Sequence, residues 1–296
     1  MKIVYHTHMS GKLKMKAIGF FLLFFFAFLS AYIFLHEDRN GILTVVFLNV
    51  GQGDAIFIES PSGNQMLIDG GPGKSVLREL SKVMPFYDRS IDAVLATHAD
   101  QDHVGGLPDV LNRYKVDLFF ETGNPGPSSS YEELKAMIEK LKIERLEARR
   151  GMAVDLGGGT ILEIIFPDRD PSGMETNMSS IVARLVYGEN EFLLTGDSPI
   201  AIERYLVSLD GAHQGDLKSD VLKAGHHGSK TSTSPEFVSA VSPKYGIISA
   251  GLGNRYGHPT AEVLETLTKA GATILRTDRD GRIIFKSDGI KLELKD

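Results

Sequence analysis

Nineteen consecutive residues, Ala17 to Leu35, carry no charge, and seven of them are phenylalanine. About 20 residues of α-helix, at ~1.5 Å each, cross the hydrocarbon core of a bilayer. A helix in a soluble core keeps a polar face, whereas this run is apolar all round and lies near the start of the chain, so a transmembrane helix is expected. Lys12, Lys14 and Lys16 precede it, and Glu37, Asp38 and Arg39 follow it. The positive-inside rule then puts the N-terminus in the cytoplasm and everything after residue 36 outside it, a single-pass protein of the cell membrane. A cleaved signal peptide, leaving a secreted protein, is the alternative. Its basic start fits, but the apolar stretch exceeds the usual ~7–15 residues and no small-x-small cleavage site follows. The chain thus divides into a basic tail (1–16), an anchor or signal segment (17–35), a polar linker (36–41) and a body (42–296).

The body is an ordinary folding sequence. Overall, 42% of the residues are hydrophobic and 24% charged, enough to bury a sizeable core. There is no cysteine, which excludes disulfides and thiolate metal sites, so any metal must take imidazole and carboxylate ligands. The whole chain carries a net −6, and residues 1–16 hold four lysines and no acid, which leaves −10 for the rest. A body of that sign has no long-range attraction for nucleic acid or anionic lipid. The mixed-sign stretch Lys142 to Arg150 reads as a solvated helix or strand face.

Apolar runs separated by Gly-rich turns predict strands at Leu43–Val50, Ala55–Glu59, Gln65–Ile68 and Ile91–Ala96. Further strands are expected at Thr160–Phe166, Ser180–Val186, Glu191–Thr195, Val221–Ala224 and Tyr245–Ser249. Helical spacing marks Ser75–Val83, Leu107–Tyr114, Ile200–Val207 and Ala261–Ala270. Ile283–Phe285 and Ile290–Leu294 close the chain as a hairpin. Residues 124–130 and Pro167–Met178 read as irregular loops. Hairpins mixed with helix-linked strands suggest an α/β (α+β) fold of two sheets with helices outside, a four-layer αββα sandwich behind one N-terminal transmembrane helix.

Five of the nine histidines fall in three short segments, each after a strand-like run or a Gly-rich turn. Thr97 to Gly106 offers His98, Asp100, Asp102 and His103. On a loop after a strand, His98 and Asp100 can share one ion while Asp102 and His103 reach a second position; such ligands suit Zn, Mn or Fe. Gly105-Gly106 is expected to let the next helix start close to the ion. The run Phe192 to Asp197 puts one carboxylate at a strand mouth, where it can bridge two ions ~3.5–4 Å apart. Of the pair His226-His227, the first is nearer the strand end and reads as the ligand, with His227 in the catalytic or substrate-facing role; the two are exchangeable. In Asn254-Arg255-Tyr256-Gly257-His258, Arg255 and His258 are candidates to hold an anionic substrate oxygen.

In this order, Leu67-Ile68-Asp69-Gly70-Gly71, Thr97 to Gly106, Thr195-Gly196-Asp197 and the His-His pair resemble the metallo-β-lactamase superfamily. Asn49-Val50-Gly51-Gln52-Gly53-Asp54-Ala55, His-Ala-Asp-Gln-Asp-His-Val-Gly-Gly, His-His-Gly-Ser-Lys and Asn-Arg-Tyr-Gly-His-Pro are similar to the C-terminal domain of competence DNA-uptake (ComEC-type) proteins, over about residues 42–290. The resemblance implies an αββα hydrolase with one or two divalent ions. Its ligands would be His98, Asp100, Asp102, His103, Asp197 and one of His226 and His227, with Asp69 orienting the first loop. Asp100 stands where a histidine is usual in the superfamily. The stretch before Gly196 has no histidine ligand, offering Asn177, Ser179 and Ser180 instead. Such an oxygen-rich site leans towards Mn²⁺ over Zn²⁺. The many-span channel that accompanies this domain in DNA uptake has no counterpart in one apolar segment, so a role in uptake is not expected from the resemblance.

The expected function is a membrane-anchored, extracytoplasmic, metal-dependent phosphodiesterase or nuclease acting on DNA or a small phosphoester. Asp102, His227 and His258 are the catalytic candidates. Lys230, Asn254 and Arg255 are the substrate-binding candidates, and Asp69 and Asn177 support the ligands. The rivals are hydrolysis of phosphoryl headgroups on cell-wall polymers or lipids, and a catalytically inactive tethered scaffold.

Overall fold

The computed structural model describes residues 11–36, 41–126, 128–213 and 217–295, in two units, Met1–Asn40 and Gly41–Asp296. Most of the expected basic tail (1–10) and of the linker (37–40) lies outside the described residues. In the first unit, helix α1 (Gly11–His36) runs for 26 residues. That is ~39 Å at 1.5 Å per residue, more than the ~30 Å of a bilayer core. Met15–Tyr32 is long and apolar enough to cross a membrane, and none of it is buried in protein.

The second unit holds two sheets. The first contains β1 (Leu43–Phe47), β2 (Ile56–Glu59), β3 (Gln65–Ile68), β4 (Ser90–Leu95), β5 (Lys115–Glu121) and β6 (Glu144–Glu147). The second contains β7 (Ala153–Gly157), β8 (Thr160–Phe166), β9 (Val182–Tyr187), β10 (Asn190–Leu194), β11 (Val221–Lys223), β12 (Tyr245–Ile248) and β13 (Thr273–Arg276). The closing hairpin, β14 (Ile283–Ser287) and β15 (Leu292–Lys295), returns to the first sheet, whose order is β15-β14-β1-β2-β3-β4-β5-β6. The second sheet runs β13-β12-β11-β10-β9-β8-β7. In each sheet antiparallel hairpins give way to parallel strands, at β3–β4 and at β10–β11.

Strand alternation builds three core layers. Leu43, Val45 and Phe47 of β1 face the space between the sheets with Phe192 and Leu194 of β10, while Val46 points the other way. Phe285 is the hub of the inter-sheet layer, edge-on to Phe47 (6.3 Å), Phe192 (5.8 Å) and Tyr245 (5.1 Å). Helices α2 (Ser75–Val83), α3 (Gln101–Val104), α4 (Leu107–Arg113) and α5 (Ser129–Leu141) lie on the first sheet's side of the molecule, where Val76, Leu80, Val104, Leu107 and Leu134 form one outer cluster. Helices α6 (Ile200–His213), α7 (Pro235–Val241) and α8 (Ala261–Lys269) do the same on the other side through Leu206, Phe237 and Leu267. The result is the αββα sandwich.

Three local differences and one close packing have physical causes. Residues 124–130 are not irregular throughout: Ser129 and Ser130 already belong to α5, because Ser128 Oγ caps the helix by accepting from the Tyr131 N–H (3.1 Å). Strand β1 ends at Phe47, and just beyond it the chain turns, with Val50 N–H bonded to the Leu48 carbonyl (3.0 Å). The last strand starts at Leu292 because Asp288 Oδ1 accepts from the N–H groups of Ile290 and Lys291 and makes a turn. Gly105 and Gly106 let the start of α4 pack tightly on the turns after β3. A Cβ on Gly106 would collide with the Gly70 carbonyl, and one on Gly105 would lie 2.6 Å from the Pro72 carbonyl.

Candidate metal centre

The connections after β1, β3, β4, β10, β11 and β12 meet at one mouth of the sandwich, the crevice where sheets with parallel strands usually assemble sites. Backbone bonds lace them together: Asp54 N–H to the Asp102 carbonyl (3.2 Å), Gly70 N–H to His103 (2.7 Å) and Gly71 N–H to Asp54 (2.7 Å). Gly53 permits the first of these approaches, since a Cβ there would collide with the Asp102 carbonyl. Asp69 (φ 60°), His226 (φ 48°) and His227 (φ 55°) hold left-handed backbone. Each such non-glycine position costs ~1–2 kcal/mol that the surrounding fold must offset.

Asp197 is the focus. Its carboxylate lies 3.3 Å from His103 Nε2, 3.5 Å from His227 Nε2, 3.7 Å from His226 Nε2 and 3.9 Å from His98 Nε2. All four imidazoles present the same nitrogen to it because their Nδ1 atoms are engaged behind. His103 Nδ1–H donates to Asp69 Oδ2 (2.8 Å), and His227 Nδ1–H to the Ser249 carbonyl (3.0 Å). Thr97 Oγ1 donates to Asp69 Oδ2 (2.7 Å) and therefore accepts from His98 Nδ1–H (3.0 Å). His226 Nδ1 pairs with Thr231 Oγ1 (3.2 Å). At His98 and His103 such rear bonds turn Nε2 towards Asp197, the usual preparation of a histidine ligand.

The floor of the site, His98, His103, Asp197 and His227, is buried, and Asp100, Asp102 and His226 form a rim about one-third exposed. Asp100 Oδ2 is 3.7 Å from His98 Nε2, and Asp102 Oδ2 is 3.2 Å from His227 Nε2. Asp100 thus lies on the His98 side of the site. The rings of His98 and His103 are 4.0 Å apart and converge on Asp197, and Asp102 leans to His227 instead. His98 Nε2, His103 Nε2 and Asp197 Oδ1 are buried without a hydrogen-bond partner. Unpaired buried polar atoms are costly, and lone pairs converging on a carboxylate are what a divalent cation satisfies, so the residues fit a metal.

The electrostatics agree. Burial opposes the charge on Asp197, but His227, His103 and His98 hold its carboxyl well below the usual range. Burial likewise opposes charge on His227, yet Asp197 and Asp54 push it up to about 9. His98, buried beside His103, is pushed down to about 3. The carboxylates thus draw positive charge into the cluster, the field that also favours a cation there.

Asp54 and Lys223 are the residues that sequence reasoning missed. Asp54, His103, Asp197 and His227 form a buried group with ligand atoms within 4.8 Å of one another. Asp54 faces the Nδ1 atoms of His227 (3.4 Å) and His103 (3.9 Å), behind the rings, whereas Asp197 lies before them. Oδ2, the oxygen on the His103 side, pairs with the Nζ of Lys223, a fully buried side chain that also donates to the Gly196 carbonyl (3.2 Å). Burial would raise the Asp54 carboxyl, but Lys223, His227 and His103 hold it far below the ordinary value. A lysine inside the apolar run Val221-Leu222-Lys223-Ala224 was the available signal.

Other predicted residues sit at the periphery. Asn177 belongs to a single 3-10 turn, and its Oδ1 is buried without a partner. The N–H of Asp197 is held instead by Ser180 Oγ (3.3 Å), and Asp100 is bonded by Thr176. Asn254 spends its side chain on its own loop, donating to Gly251 and His258 carbonyls and accepting from the N–H groups of Tyr256 and His258. It is a brace for that loop, not a free substrate contact. Arg255 and Lys230 are exposed, and His258 lies beside His226, their centroids 5.8 Å apart.

The comparisons agree with this geometry. The family model described as "Metallo-beta-lactamase superfamily" matches residues 48–251. The chain is 33% identical over 261 residues to ComE operon protein 3 of Bacillus subtilis, covering 82% of this chain and 33% of that protein. It is 30% identical over 245 residues to competence protein ComA of Neisseria gonorrhoeae, covering 81% and 32%. It therefore spans about a third of the length of these curated relatives. Among solved structures, the metallo-β-lactamase-fold protein YhfI of B. subtilis superposes with a TM-score of 0.56 at 11% identity, over 83% of this chain and all of that one, a likeness of fold. With a matching family model, this sandwich and a cluster of histidines and aspartates at its mouth, the chain belongs to the metallo-β-lactamase superfamily, as a ComEC-like member.

Proposed function

We propose that this chain is a membrane-tethered, metal-dependent phosphodiesterase or nuclease, with α1 as the anchor and the hydrolase unit on the extracytoplasmic side. The observation that carries the reading is the convergence of four imidazole Nε2 atoms on Asp197, with Asp100 and Asp102 at the rim. His98, His103, Asp197, Asp100, Asp102 and one or both of His226 and His227 would hold one or two ions; the oxygen-rich set favours Mn²⁺ over Zn²⁺. When bound, such an ion supplies a Lewis acid and lowers the pKa of water bound to it to about 7.

The chain's own groups do the rest. Asp69, Thr97 and Ser249 hold three imidazoles in register. The carboxyl of Asp102 is held below its usual range by His227 and His103 against the effect of burial, so Oδ2 is ionised at neutral pH and positioned to accept a proton from the attacking water. Arg255 and Lys230 supply charge for the non-bridging phosphoryl oxygens. His258 stands beside His226 as the donor to the leaving oxygen. Hydrolysis of a phosphoryl headgroup on a lipid or wall polymer is the second reading. It is favoured by the apolar helix and by the net −10 that the chain carries beyond residue 16.

The test is phosphodiesterase activity of the detergent-solubilised chain, stripped of metal and then given Mn²⁺ or Zn²⁺, on plasmid DNA and on a small chromogenic diester. Metal-restored cleavage of DNA supports the nuclease, and cleavage of the small diester alone points to headgroup chemistry. No turnover by a folded sample with either metal overturns the reading. Asp102→Ala should abolish turnover while leaving the far-UV circular dichroism intact.

A further inference from the structure

A ladder of flat side chains leads out of the metal centre. Its inner rung is His103 against His227, centroids 5.3 Å apart. Next come His227–His226 at 6.0 Å and His226–His258 at 5.8 Å, both edge-to-face. Beyond them Tyr256 is stacked on His258, with centroids 5.8 Å apart and planes 24° from parallel. The guanidinium of Arg255 is outermost, 5.0 Å from the Tyr256 centroid and donating to its hydroxyl (2.9 Å). Exposure rises along the series, from His227 at 1% through His226, whose side chain is 30% exposed, to Tyr256 at 53%.

The loop that carries the outer rungs is held in place. Asn254 closes it through four hydrogen bonds, and Gly251 N–H is tied to Gln52 Oε1 (3.1 Å) on the turn that also carries Asp54. On this braced loop Leu252 is 84% exposed. Tyr256, half exposed on a braced loop at the outer end of this series, offers an aromatic surface to a ligand.

We infer that Tyr256 and Arg255, on the loop of residues 251–258, form a stacking subsite for an unpaired nucleobase next to the scissile phosphodiester. The inference rests on the phosphodiester reading and names its substrate class: single-stranded nucleic acid rather than a base-free headgroup. Aromatic rings and guanidinium planes are the two surfaces on which unpaired bases stack, and the contact tolerates any sequence because every base has a π-face. It also gives an acidic domain a means of holding nucleic acid that does not depend on a basic groove. A base paired within a duplex has both faces covered and is excluded.

The experiment uses the full chain in detergent with Mn²⁺, a short single-stranded oligodeoxynucleotide and its abasic counterpart, for the wild type, Tyr256→Ala and Tyr256→Phe. The expected result is a wild-type preference for the base-containing strand in kcat/KM. Tyr256→Ala should reduce that preference about tenfold, ~1.4 kcal/mol, mostly through KM, and Tyr256→Phe should retain it. A preference unchanged in Tyr256→Ala, or equal cleavage of both strands by the wild type, overturns the inference while the phosphodiester reading stands. Cleavage of neither strand by a folded, metal-loaded wild type overturns both.

Discussion

Replacing Lys223 by methionine would test how the centre is held from behind. Methionine keeps an unbranched stem in the space now filled by a fully buried lysine and removes the ammonium that neutralises Asp54, itself 2% exposed. Breaking a buried ion pair from one side costs about 3–5 kcal/mol, because the remaining charge is left uncompensated. For a unit of this size that corresponds to a fall of roughly 6–20 °C in melting temperature. The loss also has a pH signature. In the wild type Asp54 is held below its unfolded value, so it stabilises the fold above about pH 4 and the contribution fades as pH falls. Without Lys223, burial raises the Asp54 carboxyl. The folded variant then binds a proton that the unfolded chain releases, and its stability drops as pH rises. The deficit relative to wild type should therefore be larger near pH 7 than near pH 4.5. Urea midpoints of metal-stripped protein, followed by far-UV circular dichroism, measure it. The double variant Asp54→Leu/Lys223→Met, which leaves neither charge, should recover most of the loss. A single variant within ~1 kcal/mol of wild type, or a deficit that widens on acidification, would refute the argument.

Other consequences follow from the same geometry. Metal added to stripped protein at ~100 times its dissociation constant should stabilise the fold by about 2.7 kcal/mol, read as a rise in melting temperature; an unchanged midpoint would count against the site. Asp69→Asn removes the anionic acceptor behind His103 Nδ1. It should weaken metal affinity about 10- to 100-fold in calorimetric titration without unfolding the domain. Phe285→Ala opens the hub between the sheets and should cost about 3–5 kcal/mol in urea unfolding; a loss under 1 kcal/mol would mean that the layer closes over the gap.

Much of the scaffold can be read locally. Short apolar runs bounded by Gly-rich turns mark strands at Leu43–Phe47 and Gln65–Ile68, and these are strands. Helix α7 escaped the periodicity reading because it spans only 7 residues, although Ser234 followed by Pro235 is a helix-start signal and Ser234 does cap it. Strand β6, four residues at the sheet's edge, has no buried residue and so carries no apolar pattern to detect. Within Thr97–His103 the sequence offers four candidate ligands, but the side each one faces depends on packing. Asp102 meets His227, 125 residues away, a contact that no local pattern announces.

The sequence by itself determined the apolar helix, the alternating strands and the histidine- and aspartate-bearing turns at strand ends. Each of these is a pattern within a few residues of backbone. Only the tertiary structure decided that Asp197 is the point on which four histidines converge, that Asp54 and Lys223 pair behind them, and that Tyr256 continues the row of rings outward. These relations join turns from both sheets. Where a buried charge finds its counter-charge is set by how the two sheets pack, and no local period encodes that.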